Sequence, residues 1–167
     1  MKKSFARQGF TLIETLIVIG IGLLILGVGT LYITGANTAK RAEAEGSRIA
    51  ALLQAAQERS MSQESNARWG VFFKNSVSDG PTYELYQVDE DLLTAGVVTP
   101  PGTTLEKRQL SAELTFSSPV AGEETNVIFE RATGLPTAST TITVVGIDNA
   151  SLTATLSVHR NGKIDRE

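Results

Sequence analysis

The stretch that most constrains this chain is the apolar run from Phe10 to Ile33. As a helix, about 24 residues extend roughly 36 Å, enough to cross a bilayer core with some tilt. No side chain between Leu16 and Gly29 is polar. Lys2, Lys3 and Arg7 precede the run, and the first nine residues hold no acid. Basic flanks stay cytoplasmic, so this asymmetry predicts an N-terminus inside and the rest of the chain outside. One residue resists a plain reading: Glu14, near the start of the run. A carboxylate near the middle of a span costs about 2.5 to 3.5 kcal/mol, and less toward its end, so it calls for a role.

Three readings compete. A secretory signal peptide needs a small-x-small cleavage site, and Gly27-Val28-Gly29 is a poor one because helix-forming sequence continues past it. A plain anchor explains the run but neither Glu14 nor the Gly9-Phe10 junction. The third reading uses every residue. "KKSFARQGFTLIETLIVIGIG", Lys2 to Gly22, resembles the class III signal of type IV prepilins and type II secretion pseudopilins. In that family a short basic leader ends in glycine, phenylalanine usually follows, and glutamate stands fifth in the mature chain. Gly9, Phe10 and Glu14 match in register.

The resemblance implies that a membrane-embedded prepilin peptidase cuts between Gly9 and Phe10 and N-methylates Phe10. The apolar run then stays, first as an anchor and later as the core of a filament. Cutting leaves an α-amino group with a reference pKa near 8, largely cationic at neutral pH. Glu14 follows four residues on, where the helix dipole favours a carboxylate. In the family this group is thought to pair with a neighbour's terminal amine, which makes Glu14 an assembly residue. Such a pair is strong in low dielectric and its loss is penalised, so it selects axial register. One departure is the proline many pilins carry further along. Leu31 occupies that place, among Gly20, Gly22, Gly27, Gly29 and Gly35. These glycines read either as generic packing residues or as a pliable segment from Gly27 to Gly35.

Beyond the run, "NTAKRAEAEGSRIAALLQAAQERSMSQ" is rich in helix formers. Ala39, Ala42, Gly46, Ile49, Leu53 and Ala56 form one apolar stripe, with Leu52 beside it. Lys40, Arg41, Glu43, Glu45 and Arg48 read as a solvated face. One helix from Phe10 to Ser62 would be roughly 80 Å long, its second half packed on a sheet. After Asn66 the pattern turns to short runs rich in aromatic and β-branched residues, separated by "SDGP", "AGEE", "TGLP", "DNAS" and "RNG". Seven or eight strands are expected, with Asn161-Gly162 as a type I′ hairpin turn.

The expected fold class is α+β: a long N-terminal hydrophobic helix, pilin-like, packed at its C-terminal half against an antiparallel β-sheet or β-sandwich. The expected divisions are a leader over 1–9, a transmembrane and filament-core helix over 10–35, an amphipathic continuation over 36–64 and a β-rich extracytoplasmic domain over 65–167. The end of the chain is similar to GspH/FimT-type minor pilins, in which "F-x-x-x-G" and "V-x-x-x-G-x-I" elements close the sheet. Val158, Gly162 and Ile164 fit; Phe129 to Gly134 is one residue longer.

Signals of chemistry are sparse. There is no cysteine, so disulfides and thiolate metal sites are excluded. The single histidine, His159, reads as a surface strand residue, although Asp165 is near in sequence. Asp89-Glu90-Asp91 reads as a solvated loop, with calcium as the sharper alternative. Trp69, Phe72, Phe73, Tyr83 and Tyr86 read as core and sheet-face residues. Fifteen Lys and Arg stand against 18 Asp and Glu, and without a basic stripe nucleic acid is not an expected partner. The expectation is a non-enzymatic minor pilin or pseudopilin without metal or other cofactors. Its expected partners are prepilin peptidase, other pilin or pseudopilin subunits, the inner-membrane assembly platform and membrane lipid, with a secreted substrate as a further candidate. It starts as a single-pass inner-membrane protein and ends in a pilus or pseudopilus. The rivals are a membrane-tethered binding domain with a plain anchor, or a competence pseudopilin for DNA uptake.

Overall fold

The computed structural model describes residues 11–91, 100 and 102–167, and within its long helix the side chains of 12–25 and 39–61. The chain divides into two compact units, Met1–Asn37 and Thr38–Glu167. One helix, α1, runs Leu12–Met61. Thr11 begins it: its hydroxyl accepts the Glu14 N–H at 3.3 Å, satisfying one of the donors that a helix start leaves free.

In the second unit α1 is followed by a 3₁₀ turn, Glu64–Asn66, and eight strands. These are β1 (Trp69–Ser76), β2 (Gly80–Val88), β3 (Gly102–Gln109), β4 (Leu114–Ser118), β5 (Glu124–Phe129), β6 (Thr140–Gly146), β7 (Thr153–Val158) and β8 (Ile164–Arg166). They form two antiparallel four-stranded sheets, ordered β3-β2-β1-β5 and β4-β6-β7-β8. The fold is therefore α+β, as expected, with two sheets sharing one helix.

The helix holds both sheets through the stripe read from the sequence. Ala42, Ile49, Leu52, Leu53 and Ala56 share one core with Val71, Phe73 and Leu85 of the first sheet and Phe116, Ile142 and Leu156 of the second. Each large side chain so buried stabilises the domain by about 1.5 to 3 kcal/mol. Phe73 stacks on Tyr83 and meets Phe116 edge-on at 5.9 Å, joining the sheets. Gly46 sits where the helix crosses β7: a Cβ there would lie 3.0 Å from Ala154 Cβ. On the other face of the first sheet Phe72, Tyr86, Val88 and Ile128 form a second buried cluster. Asn75, also buried, ties β1 to β4: its amide donates to the Phe116 and Pro119 carbonyls at 2.8 and 2.9 Å.

Two expectations are corrected. Glu45 is not on a solvated face. It is 4% exposed, accepting a hydrogen bond from the Tyr83 hydroxyl at 3.0 Å and from Arg48 at 2.6 Å. The reason lies in the helical period: position 45 follows Ala42 by three and precedes Ile49 by four, so it faces the sheets. Nor is the last hairpin a type I′ turn, which needs positive φ at both central residues. Only Gly162, at φ +83°, is left-handed there. The Gly162 N–H reaches the His159 carbonyl and the His159 N–H the Lys163 carbonyl. That is a type I turn closed by a left-handed glycine.

Candidate assembly site

The first turn of α1 presents Glu14 on a helix unlike any other part of the chain. Every large apolar side chain from Leu12 to Ile25 is between 52% and 83% exposed, all round the helix. A surface helix of a folded domain buries one apolar stripe; one apolar on every side needs a lipid or protein surrounding. Glu14 is the one ionisable residue between Leu12 and Ile25. Its N–H is held by Thr11, whose carbonyl also accepts the Thr15 hydroxyl at 3.3 Å. Among the described residues its carboxylate has no hydrogen-bond or ion-pair partner. A capped first turn with a free carboxylate is suited to accept a cation from another chain.

Gly9 and Phe10 lie outside the described residues, as do the side chains of Gly27, Gly29, Leu31 and Gly35. Gly20 and Gly22 are described, and a Cβ at either would meet nothing within 4 Å. Within the subunit, neither position requires glycine. Among the described residues no helix is long and apolar enough to cross a membrane.

The other candidates do not converge. His159 sits just past β7, exposed, with Nε2 3.2 Å from the Asp165 carboxylate, which Lys163 also holds at 2.8 Å. Lys163, and then His159, keep the Asp165 carboxyl below its usual range. Glu90 is paired with Arg68, which bridges on to Glu130 at 3.0 Å. That arginine holds the Glu90 carboxyl low. Among the described residues no group of three or more His, Asp or Glu side chains could hold a metal ion.

Sequence reading passed over two residues. Thr11 was legible, since Thr-x-x-Glu before an apolar run is a capping-box signature. Gln57 was not. Its amide donates to the carbonyls of both Gly134 and Gly162 at 3.0 Å, and a glutamine within a helix does not announce such a task.

Residues 4–30 match the prokaryotic N-terminal methylation motif. Two crystal forms of the type IV minor pilin FimU from Pseudomonas aeruginosa are similar in structure. One has a TM-score of 0.53 at 19% identity, over 77% of this chain and 89% of that chain. The other has a TM-score of 0.50 at 19% identity, over 75% and 91%. The fold is type IV pilin-like. The motif places a further likeness in residues 4–30, from before α1 to well past its first turn. The likeness of fold lies in the packing of α1 on antiparallel sheets. No curated protein matches the sequence.

Proposed function

We propose that this chain is a minor pilin or pseudopilin, a structural subunit that prepilin peptidase cuts after Gly9 and N-methylates on Phe10. The observation that carries the reading is the apolar surface of α1 from Leu12 to Ile25, exposed on every side and interrupted by one free carboxylate. Inserted in the inner membrane, that helix anchors an extracytoplasmic domain. Drawn into a filament, it packs among the helices of other subunits. The Glu14 carboxylate then takes the amine of a neighbour's cut end, a pair that low dielectric strengthens and that penalises wrong axial registers. The work is assembly and not catalysis.

The test is the substitution Gly9→Val in cells that contain a prepilin peptidase. The unaltered chain should have the mass of residues 10–167 plus one methyl group. The variant should keep its full mass and fail to enter sheared filaments. A variant with the same mass as the parent and normal incorporation sinks the reading.

A further inference from the structure

The two left-handed glycines of the C-terminal motifs meet at one side chain. Gly134, at φ +64°, lies in the crossover that carries the chain from β5 in the first sheet to β6 in the second. Gly162, at φ +83°, lies in the β7–β8 hairpin. A Gln57 amide nitrogen has two hydrogens, and its two acceptors are the Gly134 and Gly162 carbonyls, both at 3.0 Å. Space there is tight. A Cβ on Gly162 would fall 2.9 Å from Gln57 Nε2, and one on Gly134 would fall 2.5 Å from Met61 Cγ. The same end of α1 also takes the Ala132 N–H on the Ser60 carbonyl at 3.0 Å, while Ala132 is held left-handed at φ +67°. A non-glycine residue persists in that region only where its surroundings determine it.

We propose that Gln57 is a latch coupling these two turns, so that displacing one releases the other. Neither turn reaches the other through a shared strand pairing. The crossover pairs back on β5 through Phe129 and Pro136, while the hairpin closes on itself through His159 and Lys163. One amide with two donors cannot keep its geometry to the second carbonyl when the first moves. A partner protein that engages either exposed turn therefore loosens the other, which makes this end of the domain respond as one unit. The inference does not depend on cleavage or on filament assembly.

Amide hydrogen exchange on the full chain in detergent micelles tests it, read on peptides covering 130–137 and 159–164, with β2 as the internal reference. Gln57→Met keeps the length and removes both donors. Exchange should rise about tenfold in both segments and stay unchanged in β2. Gly162→Ala pushes the amide aside and brings its Cβ only to ordinary contact with Leu135 Cδ2 and the Gly134 carbonyl, at 3.5 and 3.6 Å; it should also speed exchange at 130–137. In the Gln57→Met background it should add nothing there. The latch is overturned if Gly162→Ala affects its own hairpin alone. It is equally overturned if Gln57→Met changes one segment only, neither segment, or β2 by the same factor. Should Gln57→Met not fold, Gln57→Glu, which keeps the shape and removes both donors, takes its place in both comparisons.

Discussion

The same substitution at three helix glycines should have opposite consequences. Glycine in a helix interior is about 1 kcal/mol less favourable than alanine. At Gly20 and Gly22 a Cβ meets nothing within 4 Å, so alanine keeps the whole of that gain in the isolated subunit. At Gly46 the Cβ lands 3.0 Å from Ala154 Cβ and 3.8 Å from Arg166 Cδ. Carbon atoms prefer about 3.5 to 4.0 Å, and both methyls sit on regular backbone, so α1 must lift from β7. Overpacking of this kind costs about 1 to 3 kcal/mol. Set against the helix gain, Gly46→Ala should lower stability by about 1 kcal/mol. Urea unfolding followed by fluorescence of Trp69, the single tryptophan and a buried one, reads the change. Ala154→Gly added to Gly46→Ala should relieve the clash. A Gly46→Ala protein as stable as the parent would refute the claim that this glycine sets the helix-to-sheet distance. Gly20→Ala and Gly22→Ala that leave the subunit intact but weaken filament incorporation would assign those glycines to close approach between subunits.

Two further outcomes are expected. Burial, and for Tyr83 the adjacent Glu45 as well, pushes the Tyr83 and Tyr86 phenols far above their ordinary range. In the unfolded chain they ionise near pH 10. The unfolded state therefore holds fewer protons above that pH, and stability, fully present below about pH 10, should fall as pH rises further. Tyr83→Phe should flatten that fall, and urea midpoints measured between pH 9 and 11 that show no flattening would count against it. Glu14→Ala should leave membrane levels unchanged while reducing recovery in sheared filaments about tenfold or more. Equal recovery would remove Glu14 from assembly.

Much of this architecture could be read from residue patterns because the patterns were physical. The stripe from Ala42 to Ala56 has the period of a helix face, and it is the face that packs. "SDGP", "AGEE" and "RNG" lie where the chain reverses, since glycine there occupies left-handed backbone at Gly80, Gly122 and Gly162. Glu45 was misread because charge was weighed above period, and its partner Tyr83 is far away in sequence. A sandwich was one of two expected arrangements, but which strand joins which sheet was not legible. It depends on which edges pair, and neighbouring strands such as β3 and β4 end in different sheets. At the candidate site, one residue type at one offset, Glu14 after Gly9-Phe10, was a sharp local signal. Gln57 left no such trace, because its task is defined by two distant turns.

The exposed helix surface has one more consequence. On the function proposed above, a cylinder that is oily on every side gains little by leaving one oily surrounding for another, so the step from bilayer to filament would be a transfer between two similar solvents. The hydrophobic effect that holds the helix in either place therefore contributes little to the choice between them. That leaves a lone carboxylate as the reporter of where the subunit is. It is costly while solitary among lipid tails and satisfied once a cationic neighbour arrives.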